Sequence, residues 1–118
     1  MKVKRIVSNI ETKKVSAAKR FYNGVLGLEI LMDMGWIATY GSNKKMQLQI
    51  SFMSEGGSGT EVPDLSIEVD DVDEAFIKMK KARFKIEYPL TDEPWGVRRF
   101  FVRDPLGKLV NILAHSKI

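Results

Sequence analysis

The chain is written twice, and nothing else in it limits the possible folds so strongly. Residues 5–12 (RIVSNIET) alternate as a strand. A helical stretch near 14–26 follows, with Val15, Ala18, Phe21, Tyr22, Val25 and Leu26 three and four residues apart. It stops at Gly27, the residue type that accepts a left-handed helix terminus. Three strands are expected next, over 28–33, 36–41 and 46–52. After MSEGGSGTEVP at 53–63 the same order recurs. A strand at 64–70 leads into a helix near 71–82, which Asp71 caps and Glu74 completes as a capping box. Strands then follow near 84–89, 97–103 and 108–115. Val15 and Ala18 correspond to Val72 and Ala75, and GLEI at 27–30 to RFKI at 83–86, an offset of about half the chain.

The expected fold is therefore α+β: two tandem βαβββ modules whose leftover strand faces can enclose a cup. Module one covers 1–53, a linker 54–63 and module two 64–118, together a single domain. The linker reads as a flexible connection with lid potential. Its GGSG precedes a strand rather than a helix, so no phosphate-binding loop is implied.

Composition narrows the function by exclusion. The 118 residues contain no cysteine, which removes disulfides, thiol catalysis and thiolate metal sites. Apolar residues at 44% and charged residues at 29% are ordinary globular values, so a buried core is expected. No run is long and apolar enough for a membrane span or a signal peptide, and a soluble cytoplasmic protein is the expectation. The formal charge of +4 raises nucleic-acid binding. The lysines fall on helix faces without interleaved aromatics, however, so neither a nucleic acid nor a membrane is expected as partner.

Strand alternation selects the side chains that point away from the helices. On the last strand Leu109, Asn111 and Leu113 oppose Val110 and Ile112, after a turn at Asp104-Pro105-Leu106-Gly107. On the others, Val7, Asn9 and Glu11 form one such set, Gln47, Gln49 and Ser51 a second, and Asp64, Ser66 and Glu68 a third. On the seventh strand Arg99 and Phe101 point the same way, although Arg98 disturbs the alternation.

FYNGVLGLEI at 21–30, IEVDDVDEAF at 67–76 and PWGVRRFFVRDPLGKLVNIL at 94–113 resemble the glyoxalase / bleomycin resistance protein / extradiol dioxygenase (vicinal oxygen chelate) superfamily. The likeness runs through nearly the whole chain in order. It implies two tandem βαβββ modules forming a curved mixed sheet around a ligand cup, and a homodimer, but it leaves function open, because the fold hosts lyases, dioxygenases, epimerases and simple binders. In metal-dependent relatives four cup positions carry His and Glu ligands, and these fall here on Val7, Gln49, Asp64 and Asn111. One carboxylate and two neutral amides are a poor set for a divalent metal, so neither metal nor other cofactor is expected. The family usually closes its second helix with glycine, where this chain has Arg83.

The reading is a metal-free small-molecule binder that takes a planar organic ligand on Asn9, Trp36, Gln49, Ser66, Arg99, Phe101 and Asn111. Arg99 is assigned to a ligand carboxylate, or alternatively to a salt bridge with Glu68 or Glu11. Its replacement by alanine is expected to weaken an anionic ligand by roughly 1.5–3 kcal/mol and to leave the fold intact. The alternative function is a divergent glyoxalase-like lyase, isomerase or dioxygenase. Catalytic residues are unassigned; Glu68 as a general base is weighed against a solvated strand-edge carboxylate. His115 reads as a surface residue, and Trp95 as a turn anchor or a stacking wall. A cup serving only as a vestige in an accessory module remains the third reading.

Overall fold

The computed structural model describes residues 1–42 and 49–116. The strands are β1 (Val3–Glu11), β2 (Glu29–Asp33), β3 (Ile37–Gly41), β4 (Gln49–Met53), β5 (Leu65–Val69), β6 (Ile86–Asp92), β7 (Val97–Arg103) and β8 (Leu109–His115). The first part of the strand expected at 46–52, residues 46–48 with Gln47, lies outside the described residues. The chain divides into two compact units, Val7–Val62 and Pro63–Ile118 with Met1–Ile6. The first six residues thus belong with the second half. Each unit joins strands to helix in an α+β arrangement, and both carry parallel and antiparallel pairs.

In the first unit the strand order is β2-β3-β4-β1, with β1 parallel to β4 and the other pairs antiparallel. Ala38, Tyr40 and Phe52 pack with Val15, and with Ala18, Tyr22 and Ile50, against one face of this sheet. The helical stretch is less regular than its spacing predicts. A 3-10 turn over Val15–Ala17 passes into a π-helix over Arg20–Val25, where the Leu26 amide reaches back to the Phe21 carbonyl at 3.1 Å. That wider turn shifts the phase of the apolar stripe. Tyr22 stays in, 4.8 Å from the Phe52 ring, while Phe21, Val25 and Leu26 are turned out to solvent.

The linker reading needs correcting. Gly56 and Gly57 are buried, and the segment closes on itself: the Gly56 amide bonds the Thr60 carbonyl at 2.8 Å and the Gly59 amide the Glu55 carboxylate at 2.9 Å. A Cβ on Gly56 would stand 2.1 Å from the Glu61 carbonyl oxygen, so glycine is required by close backbone approach. This is a folded turn, not a loose strap.

In the second unit the order is β1-β5-β8-β7-β6, with β5 parallel to β8 and the β8-β7 and β7-β6 pairs antiparallel. The helix α1 (Val72–Lys81) is capped as expected, since the Asp71 carboxylate accepts from the Glu74 amide at 3.0 Å. Only half of the capping box forms, because the Glu74 carboxylate goes to Lys78 at 3.0 Å and to the N-terminal ammonium at 3.3 Å. Asp73 and Glu74 in the first turn and Lys78, Lys80 and Lys81 in the last complement the helix dipole. The core under α1 is Val69, Val72, Ala75, Phe100, Val102, Val110 and Ile112, the apolar faces that alternation assigned to it. Arg98 shares that side, but it bonds Asp73 at 2.9 Å and Asp92 at 3.0 Å at the margin, which accounts for the broken pattern on β7. The turn into β8 is tied by Asp104, whose carboxylate accepts from the Leu106 and Lys108 amides at 2.8 and 2.9 Å.

α1 ends on a backbone with positive φ at Arg83 (+65°), where the first helical segment has Gly27 (+72°). A side chain in that conformation costs about 1 kcal/mol that glycine avoids. Arg83→Gly is expected to raise the unfolding free energy by up to about 1 kcal/mol, the less flexible denatured chain of the parent offsetting part of the gain. Urea denaturation checks this; a loss of stability would show that the Arg83 side chain contributes more than its backbone costs.

Candidate functional site

The face of β5, β8, β7 and β6 opposite α1 carries the polar residues of the second unit. Register places Ser66 beside Asn111, Asn111 beside Phe101, and Phe101 beside Tyr88, forming a row across four strands. Asn111 is 7% exposed, and its Nδ2 donates to Ser66 Oγ at 3.1 Å. Its Oδ1 is buried with no hydrogen-bond partner. A buried amide atom left so costs about 1–3 kcal/mol, and most buried polar groups in folded proteins avoid that cost.

The next row holds Leu113, Arg99 and Thr91. Arg99 is 2% exposed, and its guanidinium pairs with the equally buried Glu93 carboxylate, Nη2 to Oε2 at 2.6 Å and Nε to Oε2 at 2.9 Å. The Tyr88 hydroxyl stands 3.3 Å from both Glu93 oxygens. Three aromatic rings surround the cation: Phe101 at 4.8 Å, Trp95 at 5.0 Å and Tyr88 at 5.3 Å. Two register shifts in β6, on either side of Tyr88, set that ring over the site, and Pro89 is tolerated because β6 is an edge strand. Glu93 and Trp95 come from the β6–β7 turn, closed by the Glu93 amide on the Val97 carbonyl at 2.7 Å.

The expected partners of Arg99 are thus corrected: its carboxylate is Glu93, neither Glu68 nor Glu11. Glu68 is held by Arg5 Nε at 2.5 Å and His115 Nδ1 at 3.0 Å. Burial pushes the Glu68 carboxyl pKa up, but hydrogen bonds from His115 and Arg5 outweigh that and hold it below the ordinary value. A general base working near neutrality needs the opposite shift, and a carboxylate with two partners is not a solvated edge group either. His115 is half-exposed, as expected of a surface residue.

In the first unit Asn9 stands opposite Ser51 and Ser51 opposite Thr39, on the face away from Tyr40 and Phe52. Thr39 and Ser51 are buried and their hydroxyls bond at 2.7 Å. Gln49 pairs with Gly41 at the start of β4, and Trp36 is half-buried just before β3, its carbonyl accepting from the Ser54 amide at 3.0 Å.

The positions that the resemblance assigns to metal ligands do not form a fitting donor set. Val7 has no donor atom, and Gln49 and Asn111 offer only neutral amide oxygens. Asp64 is exposed and its Oδ2 accepts from the Leu109 amide at 2.9 Å. Among the described residues no three His, Cys, Asp or Glu side chains gather as ligands. A first-row divalent ion asks for imidazole and carboxylate together.

Glu93, Tyr88 and Thr39 are absent from the sequence assignment, and Ser51 enters it only as an inward-facing residue of its strand. An arginine at a strand position facing the interior demands a carboxylate, and the hairpin segment TDEPWGVRR holds Asp92 and Glu93 within reach.

Two tandem βαβββ units define the class of fold. Residues 4–112 match the model of the Glyoxalase/Bleomycin resistance protein/Dioxygenase superfamily, and the chain belongs to that superfamily. Solved structures agree on the fold. A chain described as NAD-dependent benzaldehyde dehydrogenase from Legionella pneumophila is 19% identical, with TM-score 0.74 over 95% of this chain and 100% of that one. A superfamily member from Vibrio splendidus 12B01 is 17% identical, with TM-score 0.64 over 96% and 99%. The methylmalonyl-CoA epimerase from Mycobacterium tuberculosis is 14% identical, with TM-score 0.64 over 97% and 87%. No curated protein sequence matches this chain. Among the described residues no helix is long and apolar enough to cross a membrane.

Proposed function

We propose that this protein binds a small planar organic molecule, without metal, on the polar face of β5, β8 and β7. The observation that carries this reading is Asn111 Oδ1, a buried acceptor without a partner, beside the aromatic side chain of Phe101. A ligand that donates one hydrogen bond there recovers the cost of the orphaned atom, and the half-buried rings of Tyr88 and Trp95 supply flat contact area. Ser66 orients the Asn111 amide, and the Arg99–Glu93 pair fixes Trp95 and Tyr88 around the same face. The enzymatic alternative, a lyase, isomerase or dioxygenase, needs an acid–base group on this face, and Glu68 is held ionised by its two partners.

Intrinsic tryptophan fluorescence against a library of planar aromatic compounds tests the reading. Asn111→Leu is expected to weaken any ligand found by at least tenfold, while raising stability by about 1 kcal/mol through loss of the orphaned acceptor. Equal binding by parent and variant would place the ligand elsewhere and favour a vestigial face.

The reading includes a homodimer in a soluble, cytoplasmic setting. Phe21, Val25 and Leu26 of the first unit are 57%, 73% and 57% exposed, and Ile30, Leu31 and Met32 lie exposed on the edge strand β2, as surfaces that a second copy would cover. Sedimentation is expected to give a species of about twice 13.4 kDa at micromolar concentration; a single 13.4 kDa species would end this part of the reading.

A further inference from the structure

We infer that the ligand of the Asn111 face is an uncharged aromatic molecule that presents an N–H or O–H donor, rather than a carboxylate or phosphate. The inference rests on the binding reading above and narrows its substrate class. Its basis is the charge balance of that face. Three arginines stand on it, and each meets a carboxylate: Arg99 meets Glu93, Arg5 meets Glu68, and Arg103 lies 3.5 Å from Glu87. His115 adds a second partner to Glu68. Asp64, just before β5, is exposed and its carboxylate is engaged by the Leu109 amide.

An anion brought beside Phe101 and Asn111 would lose its hydration and meet a cation already neutralised by Glu93. The desolvation of a charge without a new counter-charge is strongly unfavourable. Displacing Glu93 from Arg99 would only transfer the problem to a buried glutamate. With Nδ2 engaged by Ser66, the orphaned atom points the same way, since the Asn111 amide oxygen accepts and has nothing to give an oxyanion. A neutral amide, phenol or heterocyclic N–H satisfies it. The three rings around Arg99 add no selectivity for charge, because each already turns one face to the protein's own guanidinium.

The test uses matched pairs of one-, two- and three-ring aromatic carboxamides and carboxylates, such as naphthalene-2-carboxamide and naphthalene-2-carboxylate, titrated against the intact protein by tryptophan quenching and calorimetry. The carboxamide of a binding pair is expected to bind at least tenfold more tightly than its carboxylate, and Asn111→Leu to abolish that advantage. Glu93→Gln keeps shape while removing the negative charge, and it is expected to shift the preference toward the carboxylate by at least tenfold. A carboxylate that binds the parent as tightly as its carboxamide overturns this inference and leaves the binding reading standing. Binding of neither member of any pair overturns the binding reading, and this inference with it.

Discussion

Arg99→Ala is expected to lower the unfolding free energy by about 3–5 kcal/mol, the scale of breaking a buried ion pair from one side. The loss comes from Glu93, whose side chain is 3% exposed and would be left buried without its guanidinium. A hydrogen bond from the Tyr88 hydroxyl is too weak to offset the loss of a buried counter-charge. The aromatic rings of Phe101, Trp95 and Tyr88 would also lose the cation they surround. The outcome differs from the sequence-based expectation that Arg99 is free for a ligand and dispensable for folding. A double-mutant cycle separates the terms: Arg99→Met combined with Glu93→Leu should be considerably more stable than Arg99→Ala, because no charge is left buried. Guanidinium denaturation reads both. A loss below about 1 kcal/mol for Arg99→Ala would mean that Glu93 finds water or another cation in the folded state.

Phe100→Ala is expected to cost a similar amount, about 3–5 kcal/mol, for a different reason. Phe100 is 0% exposed in the cluster of Val69, Val72, Ala75, Val102, Val110 and Ile112, and its ring meets Phe76 edge-on at 5.1 Å. Its neighbours come from three strands and α1, so they cannot collapse together into the space without moving the helix. Thermal unfolding followed by circular dichroism measures the effect. Phe100→Leu, which fills most of the volume, should recover more than half of the loss, whereas equal losses for the two variants would argue that the aromatic contact with Phe76 outweighs the cavity.

Much of the fold was legible because it depends on periods and punctuation. Alternation on β8 separated Val110 and Ile112 from Asn111, and Asp71 announced α1 through its short side chain. The less legible parts depend on partners that no period encodes. Glu93 sits in a turn, where neither a two-residue nor a 3.6-residue repeat marks which way a side chain faces. The π-helix over Arg20–Val25 carries the same apolar spacing as a regular helix, and only the backbone bond from Leu26 to Phe21 reveals that Val25 faces outward. GGSG has the composition of a loose tether, yet close approach to the Glu61 carbonyl demands glycine just as mobility would. At the candidate site, sequence placed Asn111 and Phe101 on one face, but the orphaned amide oxygen and the neutralised arginine are three-dimensional facts.

The membership of Met1–Ile6 in the second unit bears on the order in which this protein can assemble. Lys2 bonds Asp70 across 68 residues of sequence, and Arg5 reaches Glu68 across 63. On a ribosome β1 leaves the exit tunnel well before β5, and its remaining edge waits for the 63 residues that separate Arg5 from Glu68. Closing so long a loop is entropically slow, so until then β1 stays an open, apolar edge carrying Val3, Ile6 and Ile10. Lys2, Lys4 and Arg5, interspersed along that strand, then serve as gatekeepers, keeping neighbouring nascent chains apart by charge until β5 arrives.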